Sequence, residues 1–121
     1  MNKILNLVIL GIMLLCGSCS DDKEDDYYYV RYSVTAEPNK QINIYYTTAE
    51  GDNHLVQSQA SDGKYQYTVG PVSRGFKAEL TASYVVGGAA NFLMIEVSEN
   101  NHPFVVKADG TDYYNLKYLI Q

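Results

Sequence analysis

The chain is expected to form an all-β domain, an antiparallel immunoglobulin-like β-sandwich of seven or eight strands. Three observations predict it. From Tyr27 onward, apolar and polar residues alternate with a period of two, the mark of strands that bury one face. Clusters of Gly, Pro, Asn and Asp break that alternation at short intervals, as tight turns require. No window of the body competes with the 3.6-residue period of an amphipathic helix.

The runs follow one another along the chain. Tyr28, Val30, Tyr32 and Val34 alternate with Tyr29, Arg31, Ser33 and Thr35. Ile42, Ile44 and Tyr46 alternate with Asn43, Tyr45 and Thr47. Tyr65, Tyr67 and Val69 come next, then Phe76, Ala78, Leu80, Ala82 and Tyr84 against Lys77, Glu79, Thr81 and Ser83. The last runs are Leu93 to Val97, Phe104 to Val106, and Tyr114, Leu116, Tyr118 and Ile120. Turns are expected at Glu37 to Lys40, Glu50 to Asn53, Ser61 to Lys64, Gly70-Pro71, Gly87-Gly88, Glu99 to His102 and Asp109-Gly110, where Asp-Gly and Asn-rich pairs supply the positive φ that hairpins demand. Neither Asp62-Gly63 nor Asp109-Gly110 opens the D-x-[DN]-x-[DN]-G run of a calcium loop. The expected core is Val30, Ile44, Val69, Leu80, Ile95, Val106 and Leu116. The immunoglobulin cysteine pair and tryptophan are absent, so the likeness to that fold is one of architecture.

A chain of 121 residues holds one domain of ordinary size. The sequence divides into residues 1–18, 19–26 and 27–121. Lys3 supplies a positive charge, and Ile4 to Leu15 form a twelve-residue apolar segment. That is the length of a signal h-region and well short of the roughly 20 residues a spanning helix needs. Both cysteines, Cys16 and Cys19, close this segment. Their C-x-x-C spacing would suit a redox or metal pair only beside a βαβ pattern or a second ligand pair, and neither follows. The body must fold without a disulfide.

Leu15-Cys16-Gly17-Ser18-Cys19-Ser20 resembles the lipobox of bacterial lipoproteins, in which small residues precede a cysteine that is acylated and becomes the new N-terminus. Cys19 fits that role, with Gly17 and Ser18 before it. Cys16 stands where the family usually has Leu, and Leu15 is one place early. Ser20-Asp21-Asp22-Lys23-Glu24-Asp25-Asp26 resembles the acidic export tag of Bacteroides-type surface lipoproteins, which directs them to the outer face of the outer membrane. The resemblance implies a palmitate-type lipid anchor on Cys19, a membrane as partner, and a cell-surface location; the alternative is the periplasmic face. The same acids also suit a self-repelling linker, which at about 3.3 Å per residue reaches on the order of 20 Å.

The body has a weaker likeness. Val30-Arg31-Tyr32-Ser33-Val34-Thr35, Ile42 to Gly51, and Ile95-Glu96-Val97 before Asn100-Asn101 are similar to the membrane-tethered β-sandwich domains of the MmpS type, whose V-x-Y-x-V strand precedes an I-x-Y-T-x-x-x-G hairpin. Their usual tryptophan and paired cysteines are missing here. The similarity implies fold and tethering.

The net charge of -5 is uneven, since five of the fourteen acids fall between Asp21 and Asp26. Residues 27–121 carry seven basic and nine acidic side chains, with no basic stripe for phosphates, so nucleic acid is not an expected partner. Twelve tyrosines are the compositional oddity. Tyrosine offers large contact area, little entropy to lose and a hydroxyl, which suits glycan or protein surfaces; it is also a good strand residue. With Tyr28, Tyr32, Tyr46, Tyr67 and Tyr84 on the inward parity, Tyr27, Tyr29, Tyr45 and Tyr113 point outward and form the candidate binding patch. His54 and His102 fall in expected turns with no carboxylate or serine at catalytic spacing. No cofactor, metal site or enzymatic activity is expected. The expected function is a non-enzymatic binding or accessory domain at the cell envelope for a glycan or protein partner, the alternative being a structural subunit that pairs through an edge strand.

Overall fold

Alternation turns into strands because each buried branched or aromatic side chain brings a wet neighbour with it on the opposite face. The structure, a computed structural model, describes residues 26–121. The segment at residues 1–18, Cys19 and the acids from Asp21 to Asp25 lie outside the described residues. Among the described residues there are eight strands, all antiparallel. They are β1 (Tyr28–Thr35), β2 (Ile42–Thr47), β3 (Asn53–Ser58), β4 (Lys64–Val72), β5 (Lys77–Tyr84), β6 (Phe92–Glu99), β7 (Val105–Thr111) and β8 (Asn115–Leu119). Sheet A runs β4-β1-β6-β7 and sheet B runs β3-β2-β5-β8, so the described residues form an all-β sandwich. Immunoglobulin domains keep their first two strands in one sheet; here β1 and β2 lie in different sheets, and the likeness is architectural.

Val30, Tyr32, Val34, Leu93 and Ile95 of sheet A join Ile42, Ile44, Ala78, Leu80 and Ala82 of sheet B in the core. Three inward tyrosines also use their hydroxyls. Tyr32 OH donates to the Thr47 carbonyl (2.9 Å), linking the two sheets. Tyr84 OH accepts from the Glu37 amide (2.9 Å) and donates to Asn91 Oδ1 (3.0 Å). Tyr65 OH accepts from the Ala60 amide (2.7 Å). A small domain with no disulfide thereby fastens its loops to its core with phenols, each satisfying a backbone group as it does so.

Five of the seven expected core residues are buried, and Val69 is half-buried against the cluster. Val106 is a correction: it is 46% exposed. The β6–β7 register slips between Ile95, opposite Ala108, and Glu96, opposite Val106. The extra residue, Lys107, reverses the parity of the strand there and turns Val106 to the outer face. Tyr114, read with the inward set, sits in the loop before β8 and is exposed. Strand β3 was not expected, because it lies at the edge of sheet B with both faces largely wet and shows no two-residue burial period. It carries His54, which is therefore a strand residue. Gly70-Pro71 lies inside β4 and Asp109-Gly110 inside β7. Gly110 provides space where a turn was expected: a Cβ there would lie 2.5 Å from the Tyr113 ring.

Gly63 does serve a turn, with φ of +69°. Its carbonyl accepts from the Ala36 amide at 2.7 Å, and a Cβ on it would collide with the Ala36 carbonyl oxygen. Strain and collision act together, so Gly63→Ala is expected to lower stability by about 1–3 kcal/mol. A urea midpoint equal to the parent's would contradict that.

The chain enters the domain at one end. Asp26, assigned above to the linker, is bound into the domain: its carboxylate accepts from Arg74 Nη2 and from Asn100 Nδ2 (3.0 Å), and these bonds hold its pKa below the usual carboxylate value. Arg74 Nη1 also donates to the Gln121 carbonyl (3.1 Å), and Tyr27 and Asn100 exchange two further hydrogen bonds. The β3 start, the β4–β5 and β6–β7 turns and both described ends share this base. The β1–β2, β3–β4-side, β5–β6 and β7–β8 loops containing Lys40, Ala60, Val86 and Tyr113 share the opposite tip.

Candidate functional site

A sandwich offers two outer sheet faces, and side chains of odd parity in β2 and β5 place Tyr45 and its neighbours on that of sheet B. Tyr45 has Leu55 of β3 on one side and Thr81 of β5 on the other, with Asn115 of β8 beyond. The next row toward the tip is Gln57, Asn43 and Ser83. The next toward the base is Asn53, Thr47, Glu79 and Lys117. Thr47 is buried within this face because its hydroxyl takes the Glu79 amide (3.1 Å) in place of a ladder bond.

The polar groups are fixed by one another. Gln57 Nε2 donates to Asn43 Oδ1 (2.8 Å). Asn115 Nδ2 donates to Glu79 Oε2 (2.8 Å) and to Thr81 Oγ1 (2.7 Å). Each amide keeps a second group for solvent: the Asn43 Nδ2 hydrogens, Gln57 Oε1 and Asn115 Oδ1. Tyr45 is 43% exposed, and among the described residues no aromatic partner or hydrogen bond ties its ring or hydroxyl down. Toward the base, Lys77, Glu79, Lys117 and Leu119 line a shallow groove of about 320 Å³ along β5 and β8.

The outer face of sheet A is already occupied around Arg31, whereas nearer the tip Ser33, Thr35, Gln66 and Met94 border an open groove of about 400 Å³. Arg31 makes a two-pronged bond to Glu96 (2.9 and 3.2 Å), and Phe104 from the β6–β7 loop covers the guanidinium at 4.1 Å from its ring centroid. Tyr29 stands on this face, edge-on to Tyr27 with centroids 6.3 Å apart, and both are half-buried. The four candidate tyrosines therefore do not make one patch. Tyr27 and Tyr29 pair with each other on sheet A, Tyr45 lies across the sandwich on sheet B, and Tyr113 packs over Gly110 at the tip. Opposite outer faces cannot be bridged by a single small ligand.

Compared with models of known protein families and with curated proteins, the chain matches none.

The histidines are engaged locally. His54 is edge-on to Tyr46 (5.5 Å), which stacks on Tyr67 (4.9 Å) and leans on Tyr32 (5.4 Å); burial raises the pKa of the Tyr67 phenol. His102 Nδ1 lies 2.7 Å from the Glu99 carbonyl, beside a cleft of about 180 Å³ also lined by Glu99 and Lys107. The residues that sequence reasoning missed are Leu55 and Gln57, which belong to the unexpected β3, and Asn115, Thr81 and Asn43, whose outward parity was visible but whose convergence depends on which strands become neighbours.

Proposed function

We propose that the chain is a lipid-anchored, non-enzymatic binding lipoprotein of the cell envelope that takes its partner on the outer face of sheet B. The observation that carries the binding role is Tyr45, an exposed ring with no partner among the described residues, set among amides and hydroxyls that are already oriented by bonds to one another. Side chains held in place lose little entropy when a ligand arrives. The anchor rests on the lipobox resemblance at Cys19, since more than one acyl chain gives the stable attachment that one cannot, and the outer-surface location rests on the acids from Asp21 to Asp26.

The anchor and the address are tested together in cells expressing the full chain. Cys19→Ser is expected to abolish incorporation of labelled fatty acid, and Cys16→Ser to leave it intact. Replacing Asp21, Asp22, Glu24 and Asp25 by Ala, with Asp26 kept because it is bonded into the domain, should give a protein that is acylated yet shielded from protease added to intact cells. Loss of label with Cys16→Ser alone would move the anchor, and equal protease access with and without the acids would remove the surface address.

A further inference from the structure

We infer that the ligand of the sheet B face is a neutral glycan, seated on Tyr45 and held through Asn43, Gln57, Thr81 and Asn115. The inference rests on the binding role proposed above for that face and names its ligand class.

Charge is the first argument. In a chain of net charge -5, the two rows from the tip down to Tyr45 contain Gln57, Asn43, Ser83, Leu55, Tyr45, Thr81 and Asn115, none of them ionised. An anionic ligand there would lose hydration with no cation among these side chains to meet it, and the one carboxylate that borders them, Glu79, is already bonded to Asn115 at 2.8 Å and lies across from Lys117. The charged side chains of the face, Lys77, Glu79 and Lys117, gather toward the base. A sugar ring carries no charge, presents an apolar C–H side, and has a rim of hydroxyls that both donate and accept. The upper face supplies the complement: an aromatic ring for the C–H side, and around it a free amide donor pair on Asn43 with free carbonyl acceptors on Gln57 and Asn115.

Backbone geometry is the second argument. An extended peptide binds a sheet by adding to an edge, where N–H and C=O groups are unpaired. Tyr45 lies on β2 and Thr81 on β5, both central strands whose ladders are filled on either side, so only side chains are available. A folded protein partner would need an apolar anchor cluster within a patch of roughly 800 Å² per side. The upper face offers Tyr45 and Leu55, with Val85 beyond Gln57 at the tip, which suits a small repeating unit better.

The test is native electrophoresis of the full detergent-extracted chain in gels containing dextran, amylopectin, mannan or arabinoxylan as neutral probes, and polygalacturonate as an anionic one. At least one neutral polysaccharide should retard the protein. Tyr45→Ala should weaken that retardation about tenfold or more, Tyr45→Phe should stay within about threefold, because the ring does the stacking, and Asn115→Ala should fall between them. Retardation by polygalacturonate alone, reversed by salt, overturns the neutral ligand and leaves the binding face standing. No retardation in any gel, with a photo-crosslinker at position 45 joining one envelope protein on intact cells, overturns the glycan and keeps the face as a protein site. No retardation and no crosslink overturns both.

Discussion

Leu80→Ala is expected to lower the unfolding free energy by about 2–5 kcal/mol. Leu80 is fully buried at the centre of sheet B, opposite Tyr46 on β2 and Leu116 on β8. Truncation there removes apolar burial and leaves a void that rigid neighbours on both sheets cannot close. Tyr45→Ala, on the neighbouring strand of the same sheet but on the opposite face, is expected to change stability by about 1 kcal/mol or less. Denaturation of the two variants side by side checks the assignment of faces. A larger loss from Tyr45 than from Leu80 would mean that the Tyr45 ring is committed to the fold, and the binding face would go with it.

Tyr32 should respond in two distinct steps. It is fully buried, so Tyr32→Ala should cost about 3–5 kcal/mol, as removal of a large aromatic from a core does. Tyr32→Phe keeps the ring and removes only the bond to the Thr47 carbonyl, leaving a buried acceptor unsatisfied, and should cost about 1–2 kcal/mol. Equal losses in the two variants would assign the whole effect to the hydroxyl and refute the packing role. Burial pushes the Tyr32 phenol above its ordinary value. A pKa raised on folding gives stability that is complete below the unfolded value of about 10 and is lost as pH climbs beyond it. The parent should therefore lose stability above about pH 10 more steeply than Tyr32→Phe does.

Much of this fold was legible because a two-residue period is a direct record of which side of a sheet meets water. β1 and β5 alternate without interruption, and their buried and wet sets are those the sequence pattern implies. The misreadings share a cause: they fall where the relation between parity and burial is broken. β3 records little burial, since only Val56 and Ser58 are even half-buried. Val106 follows an extra residue, and a bulge is invisible until the partner strand is known. Gly110 carries the residue type of a turn, yet the space it leaves is filled by a ring three positions later. The site was legible only in part for a related reason. The outward parity of Tyr45 and Asn43 is local, whereas Asn115 reaches that face through the pairing of β8 with β5, from which β6 and β7 separate it in the chain, and Gln57 reaches it on β3, whose pattern records little burial. The grouping of Tyr27, Tyr29, Tyr45 and Tyr113 failed because parity says which residues are outward without saying from which sheet.

The two bulges bear on crowding. Lipid-anchored proteins share a plane, so neighbours meet far more often than the same number of molecules dispersed in solution, and any bare sheet edge becomes a template for stacking chain on chain. Both edges of sheet A are interrupted: β4 by the register slip opposite Tyr29 that contains Gly70-Pro71, where proline has no N–H to offer, and β7 by the slip at Lys107. A second molecule aligned with either edge would find its hydrogen-bond ladder out of step within a few residues. On the membrane surface proposed here, that mismatch would keep adjacent copies from zipping together along sheet A and leave each domain free to turn its open face toward the glycan inferred above.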